Sequence, residues 1–370
     1  MSAAVTSSEP RVSSLELFFD LVFVFTITQL TSLLLIDPTL GGLLQMFLLF
    51  GNVWWMYGGY AWLTNAVPPR DIAVRLLLLV GMGGFLLIAL AIPTAFGNGG
   101  IAFGVGYLVV TLVHTGLFLQ SSRQSIVSAV RRLGPFNLIT AGLLLVAGFT
   151  SGGARLLLFA LGFVLHWITP FLIPQSSFSI RAGHFVERHG LILLIALGES
   201  VVAVGIGLGA IQLPLGRIVA ALLGLALTAA LWWLYFSGNE ERAEAALDAA
   251  QGVRKFWLAL NAFGYAFVPI LGGIVLLAAG VKLAVVRYNE PSTVAAAVFL
   301  AAGVAIYLAG LALFRWLIHA HAVPLTILLG FLAIITTFIG LKTTPVVQLA
   351  ALVAIVIAGN VAETRAGSLR

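Results

Sequence analysis

Cysteine is absent from this 370-residue chain, and charged residues are scarce. Without cysteine there can be no disulfide framework, thiolate zinc site or iron–sulfur cluster. Charged side chains make up 9% of the chain, whereas an average soluble domain has about 25%. A soluble fold of this length would need far more polar surface, so the composition excludes an ordinary soluble protein.

Long apolar runs are what the sequence has instead, with 61% hydrophobic residues and a mean hydropathy of +1.11. Most runs approach the roughly 20 residues that a helix needs to cross the hydrocarbon core. We expect twelve spans, at about 15–36, 41–63, 72–96, 100–121, 134–151, 154–174, 184–211, 214–237, 254–280, 292–315, 317–341 and 344–361. The fifth and twelfth are short, and whether they cross fully stays open. The sequence predicts an all-α integral membrane protein.

The basic residues predict the orientation of these spans. Of the 19 Lys and Arg residues, 14 fall in the N-terminal tail, the even-numbered loops and the C-terminal tail, and 5 fall in the odd-numbered loops. Positive charge accumulates on the cytoplasmic side of membrane proteins. We therefore expect both termini in the cytoplasm, as in an inner-membrane protein. The net charge of +6 then reflects topology, and no nucleic-acid partner is expected.

Three features of the first part of the chain recur in the second. They are an acid (Asp20 and Glu199, 179 positions apart), a WWxY motif (starting at Trp54 and Trp232, 178 apart) and an arginine (Arg75 and Arg254, 179 apart). Such recurrence predicts two parallel six-helix repeats, residues 1–178 and 179–370, and in transporters the path lies between repeats. Chance is the alternative, because aromatic residues favour membrane interfaces.

Acids inside the predicted spans are the candidate functional residues, because an ionisable group in lipid costs about 3 kcal/mol on insertion scales. Glu16 and Asp20 are four residues apart and share a helix face. Glu199 lies twelve residues beyond Glu187, about 18 Å deeper. We expect these four acids to line an ion pathway. A helix cap for Glu16, and a salt bridge with Arg188 for Glu187, stay open as alternatives.

Six further polar residues are expected to support this pathway: Asn65, Asp71, Arg75, His184, Arg188 and Ser200. The predicted topology gathers most of them at one cytoplasmic vestibule. Arg75 and Arg188 are the expected partners of the acids. A network that only holds helices together would explain the same pattern, so both explanations stay open.

Motifs for metals and cofactors are not recognised in the sequence. His184, Glu187 and His189 have an HxxExH spacing, and the two histidines are about 140° apart on a helix. There is no P-loop, no GxSxG motif and no dinucleotide fingerprint. We therefore expect no metal and no cofactor. His114 and His166, in the middle of spans, suggest either packing or a proton relay.

Two long motifs resemble the bacterial low temperature requirement A family. Residues 15–24 are similar to its ELFFDLVFV opening, and residues 184–203 are similar to its HxxERxGLxxxxxLGES segment. Trp54, Trp55, Asn65 and Arg75 also fit. Phe267 stands where the family often has a histidine, which puts in doubt any proton step through that position. The family name records a cold-growth phenotype, so the resemblance implies fold and membrane location and little mechanism.

A second resemblance covers one helix. Residues 18–23, with Ile27 and Thr28, are similar to the FSD first helix of lysosomal and bacterial potassium-leak channels, which are also built from six-helix repeats. Phe19 stands where that motif has a serine. The second predicted repeat has Gly198–Ser200 where a second FSD motif would be expected. The resemblance implies cation conduction.

These observations favour a transport protein, a carrier or channel for a monovalent cation or proton and an unknown small solute, over an enzyme. The alternative is an intramembrane or lipid-modifying enzyme that uses His184, Glu187 and His189 in general acid–base chemistry at the vestibule. A scaffold or sensor is a third hypothesis, disfavoured by the few extramembrane residues. Membrane lipids are expected partners, and association into homo-oligomers stays open.

Overall fold

The computed structural model describes residues 12–69, 71–120, 124–173, 180–208 and 214–368. The predicted repeat boundary at 178 and 179, and the predicted end of the seventh span at 211, lie outside these ranges. The described residues form fourteen α-helices and no strand. They are α1 Ser14–Ile36, α2 Leu40–Ala66, α3 Ile72–Ala91, α4 Gly100–Leu119, α5 Gln124–Gly148, α6 Gly152–Leu172, α7 Ala182–Leu208, α8 Leu215–Phe236, α9 Asn239–Ala249, α10 Gly252–Ala259, α11 Phe267–Val286, α12 Val294–Leu317, α13 Val323–Lys342 and α14 Pro345–Ser368.

Ten helical segments in the described ranges are long and apolar enough to cross a membrane. The sequence predicts twelve spans, and the difference is α2 and α7, which are 27 residues long but are not among the ten. Both helices carry polar side chains, such as Asn52 and Asn65 on α2 and Glu187 and Arg188 on α7. In α2 these polar side chains lower the mean hydropathy, and α7 carries three charged residues, Glu187, Arg188 and Glu199.

The segments predicted to be short are longer in the structure. Helix α5 has 25 residues and α14 has 24. The polar stretch after α8 forms the 11-residue helix α9.

One helix contains a widened turn. Residues Leu260–Tyr265, between α10 and α11, form a π-helix, and the amide of Ala266 donates to the carbonyl of Asn261 at 2.9 Å. Pro269 follows in the first turn of α11. Proline has no N–H to donate to residue 265, and its ring displaces that carbonyl, so the preceding turn opens.

The helices pack in two groups with the same order of neighbours. In the first group α1 packs on α3, α3 on α4, α4 on α5, α5 on α6, and α6 returns to α2. In the second group α7 packs on α11, α11 on α12, α12 on α13, α13 on α14, and α14 returns to α8. The groups meet where α1 lies against α7 and α11.

Paired glycines allow one close helix crossing in each group. A Cβ at Gly84 on α3 would lie 3.0 Å from the carbonyl oxygen of Gly106 on α4, and one at Gly273 on α11 would lie 2.7 Å from that of Gly303 on α12. Only glycine permits backbones this close.

Candidate functional site

The start of α1 places two carboxylates in the bundle. The backbone amide of Ser13 donates to Oε2 of Glu16 at 2.9 Å, and the Glu16 amide donates to Oγ of Ser13, which together form a capping box. The cap that the sequence leaves open for Glu16 is therefore present. Asp20 follows one turn later on the same face and is fully buried.

Arg188 on α7 bridges these two acids across the interface between the helix groups. Its Nη2 lies 3.1 Å from Oδ1 of Asp20, and its Nη1 lies 3.4 Å from Oε1 of Glu16. The same Nη1 donates to Oγ1 of Thr64 on α2. The guanidinium is 1% exposed. Charge-assisted bonds of this kind are strong in a low-dielectric interior.

His184 extends the network on the Glu16 side. Its Nε2 lies 3.1 Å from Oε1 of Glu16, and its Nδ1 lies 3.3 Å from Nδ2 of Asn65. The amide of Asn65 is oriented by Arg181, whose backbone N–H donates to Oδ1 at 3.1 Å and whose carbonyl accepts from Nδ2 at 3.0 Å. Because Nδ2 can only donate, Nδ1 of His184 accepts and Nε2 carries the proton toward Glu16. This arrangement fits the neutral imidazole.

Tyr57 on α2 completes what we call the acid–arginine cluster: Glu16, Asp20, Tyr57, His184 and Arg188. Its hydroxyl donates to Oδ1 of Asp20 at 2.9 Å. The other oxygen of Asp20, Oδ2, is buried and has no hydrogen-bond partner among the described residues. The cluster thus holds two carboxylic acid groups and one guanidinium, and with a neutral histidine it would carry one net negative charge if both acids were ionised.

Aromatic rings enclose the cluster. The Phe23 and Tyr57 ring centroids are 4.3 Å apart, and Tyr57 stacks on Trp54 at 5.1 Å. Cζ of Arg188 lies 5.5 Å from the centroid of Phe19 and 5.7 Å from that of Tyr57, which is within cation–π range. These rings exclude water and strengthen every electrostatic contact inside them.

Glu199 forms a second acidic position further along the same helix pair. Its Oε2 accepts a 2.6 Å hydrogen bond from the hydroxyl of Thr28 on α1, and its side chain is buried. Thr28 is eight residues beyond Asp20, about 12 Å along α1. The neighbouring Ser200 has a buried hydroxyl without a hydrogen-bond partner in the described ranges. No Lys or Arg there lies at ion-pair distance from Glu199.

Glu187 faces away from the cluster. Its Oε2 accepts from the amide of Val12 at 3.2 Å, and it lines a cavity against α9 together with Glu240, Glu241 and Glu244. The salt bridge with Arg188 that the sequence leaves open for Glu187 is not formed, since consecutive helical residues point about 100° apart and Arg188 points toward Glu16 and Asp20.

Asp71 and Arg75 also lie apart from the cluster. Both are exposed at the start of α3, where Nε of Arg75 donates to the carbonyl of Pro69 at 3.0 Å. The expected pairing of Arg75 with the acids is therefore wrong. Arg181 binds the end of α2 instead, since its Nε donates to the carbonyl of Asn65 at 2.9 Å and its Nη2 to that of Thr64 at 3.1 Å.

The three side chains of the enzyme hypothesis diverge. His184 faces Glu16, Glu187 faces α9, and the His189 ring packs between Phe185 at 4.4 Å and Phe263 at 4.8 Å. No group of three or more His, Asp or Glu side chains in the described ranges is placed to hold a metal ion. The joint vestibule that a lipid-modifying reaction would use is not assembled.

Several residues of the site were not singled out for it from the sequence. Tyr57 entered only through the WWxY motif and Thr28 only through the channel resemblance, while Thr64 and Arg181 carried no signal. Phe267, at the position where a histidine is expected, packs its ring 5.4 Å from His189 and parallel to Trp54 at 6.1 Å. Position 267 therefore has an apolar ring, and the imidazole in contact with it is that of His189.

Comparison with known proteins agrees with the motifs. The family model described as "Bacterial low temperature requirement A protein (LtrA)" matches residues 11–361. An uncharacterised protein of Rhizobium meliloti is 26% identical over 317 residues, which cover 82% of this chain and 77% of that protein. That similarity extends through most of both chains and assigns no activity.

Proposed function

The chain belongs to the bacterial low temperature requirement A family of multi-pass membrane proteins, and from this premise we propose that it is a cation- or proton-linked transporter or channel. The observation that carries the proposal is the charge balance of the acid–arginine cluster. Two buried carboxylates share one guanidinium, and Oδ2 of Asp20 has no partner among the described residues. A buried net charge is costly, and a proton or a monovalent cation would remove it.

Glu199 supports a path rather than a single binding position. It lies about 12 Å from the level of Asp20 along the α1–α7 pair, is buried, and is held by a hydroxyl rather than a cation. A carboxylate in that position accepts a proton or cation without first losing an ion pair. Asp20 and Glu199 would then be successive positions, with Glu16 and His184 at the entrance.

The order of helix neighbours supports two parallel six-helix repeats, 1–178 and 179–370, with α2 and α7 crossing as well to give twelve spans. The hydroxyl of Tyr107 on α4 donates to the carbonyl of Asn52 on α2, and that of Tyr307 on α12 donates to the carbonyl of Leu231 on α8. The two acceptors are 179 positions apart, the same separation as Asp20 and Glu199. Repeats of this kind place the path between them, at the α1–α7 contact.

Orientation completes the proposal. The 14-to-5 distribution of basic residues supports a location of both termini, and with them of the acid–arginine cluster at the start of α1, on the cytoplasmic side of the bacterial inner membrane. Glu199 would then lie nearer to the bilayer midplane.

Flux in proteoliposomes tests the function. The purified full-length protein is exposed to potassium, sodium and proton gradients, and we expect flux that falls at least tenfold in Asp20→Asn and in Glu199→Gln. Asp37→Asn is the matched control, because Asp37 ends the same helix and bonds Thr39 at an exposed position. Absence of flux in the wild type under all three gradients would count against the proposal, and full flux in Glu199→Gln would remove Glu199 from the path.

A further inference from the structure

A second cavity lies between the helix groups, apart from the α1–α7 path, and four indole rings line it. We propose that this cavity, which we call the indole cavity, binds a small uncharged aromatic molecule. It is bounded by α2, α4, α5 and α6 on one side and by His189 of α7, α10 and the π-helical turn on the other. The proposal goes beyond the transport function and does not depend on it.

The size of the cavity limits its occupant. The cavity is partly open, and its volume is about 120 Å³. An apolar cavity of roughly 150 Å³ in another protein stays dry and takes up benzene. One or two fused rings therefore fit, whereas a phospholipid chain would extend well beyond the walls.

The chemistry of the walls selects against ions. No Asp, Glu, Lys or Arg is among the described residues that line the cavity. A charged ligand would lose its hydration without gaining a counter-charge, which is strongly unfavourable. The walls favour a neutral molecule.

The rings are arranged to hold a flat guest. Trp55 and Trp167 have centroids 6.0 Å apart at an interplanar angle of 57°, and Trp167 and Tyr265 are 5.1 Å apart at 48°. Trp62 lies 5.3 Å from Phe256 at 54°. Tilted neighbours offer both faces and edges, and an inserted aromatic ring can meet them in offset-stacked or edge-to-face contacts.

Unused polar groups at the cavity give the guest an orientation. Trp54 and Trp55 use their indole N–H groups, on the carbonyl of Gly264 at 2.9 Å and on Oδ1 of Asn137 at 3.3 Å. Nε1 of Trp167 is buried and makes no hydrogen bond with the described residues. His114 is only 7% exposed, and neither of its ring nitrogens makes a hydrogen bond of good geometry there. Buried polar groups in native proteins are normally paired, so a guest N–H can donate to a ring nitrogen of His114, and a guest that also carries an acceptor can bind the Trp167 N–H.

The π-helical turn contributes Leu260, Phe263, Gly264 and Tyr265 to the wall. Its widened backbone directs the Gly264 carbonyl toward Trp54, which ties the two helix groups together at the edge of the cavity. Single π-turns of this kind are frequent at functional sites.

Gly58 gives a direct way to fill the cavity. It lines the wall, and a Cβ built there meets no atom within 4 Å, so a leucine enters free space. Gly83 on α3 is the matched control, because its Cβ also meets nothing within 4 Å and it does not line the cavity.

The experiment measures quenching of tryptophan fluorescence by uncharged bromoindole in the full-length protein in lipid nanodiscs. We expect saturable quenching in the wild type and in Gly83→Leu, and at least tenfold weaker binding in Gly58→Leu. His114→Phe keeps a ring but loses both nitrogens, and we expect several-fold weaker binding at the same maximal quenching. Thermal melting shows whether Gly58→Leu folds. If it does not, His114→Phe still tests the site.

Two outcomes would overturn the proposal. Non-saturable quenching that is equal in all four proteins means that bromoindole only partitions into the bilayer. Quenching by phospholipids with brominated chains that Gly58→Leu abolishes, without saturable bromoindole binding, means that the cavity holds a lipid chain. Neither outcome bears on ion flux, so failure here is distinguishable from failure of the proposed function.

Discussion

Two buried arginines, Arg315 and Arg188, lie at different helix interfaces, and they differ in the number of carboxylates that surround them. Arg315 on α12 holds Glu363 on α14 in a two-pronged pair, with Nη2–Oε1 at 3.0 Å and Nη1–Oε2 at 3.1 Å. It also donates to Oγ1 of Thr326 at 2.8 Å and to the carbonyl of Leu234 at 2.7 Å. One cation meets one anion there, within the second helix group. Arg188 meets two anions, and it joins α7 to α1 across the two groups.

The difference lies in the number of carboxylates around each guanidinium. The Arg315–Glu363 pair joins one carboxylate to one guanidinium, and Glu363 is 23% exposed. The acid–arginine cluster joins two buried carboxylates to one guanidinium and has a carboxylate oxygen without a partner in the described ranges. Under the proposed function, this imbalance, and not the burial of an arginine alone, distinguishes the path.

Substitution of Arg188 and of Arg315, each in a separate variant, should give the largest difference in the free energy of unfolding. We expect Arg188→Met to lower the free energy of unfolding by about 3–5 kcal/mol, because it leaves Glu16 and Asp20 buried and unpaired. Arg315→Met should lower it by about 1–3 kcal/mol, because the partly exposed Glu363 can turn to water. Unfolding in detergent micelles, followed by circular dichroism, measures both.

Two additions sharpen that comparison. Glu16→Gln and Asp20→Asn placed on Arg188→Met should restore part of the stability, because the unpaired charges are gone. Arg315→Met should keep its flux once corrected for the amount of folded protein. Equal losses of stability in the two arginine variants would contradict the difference in charge balance.

Substitution of Tyr57 and of Tyr307 should give a smaller difference in the free energy of unfolding. Tyr57→Phe removes a hydrogen bond to a carboxylate, and we expect it to lower the free energy of unfolding by about 1.5–3 kcal/mol. Tyr307→Phe removes a bond to a backbone carbonyl, for which about 0.5–1.5 kcal/mol is expected. Flux should fall in Tyr57→Phe, since Asp20 loses the donor that orients it, and stay unchanged in Tyr307→Phe. Loss of flux in both variants would show that packing, not the carboxylate contact, matters.

The sequence predicts the local part of this site and not its pairing. The Glu16–Asp20 spacing, the first turn of α1 and the depth of Glu199 follow from helical geometry. The partner of the acids does not, because Arg188 is 168 positions from Asp20 and Arg75 offered an equally suitable charge. Thr28, Tyr57 and the indole cavity depend on which helix faces meet, and hydropathy does not encode that. The sequence leaves open whether the fifth and twelfth spans cross, yet α5 and α14 contribute to the ten long apolar segments of the described ranges, whereas α2 and α7 do not.

The smallest expected effect is at Arg75, which lies apart from the acid–arginine cluster. Arg75→Ala removes one exposed hydrogen bond to the carbonyl of Pro69. We expect a change in the free energy of unfolding of no more than about 0.5 kcal/mol and flux within twofold of the wild type. Arg188→Met, measured in the same proteoliposomes, is the comparison. If Arg75→Ala abolished flux while Arg188→Met retained it, the acids would work in an arrangement other than this one, with α3 closer to α1. Flux that survives only in Arg75→Ala would instead show that the cluster bound by Arg188 is the one that handles charge.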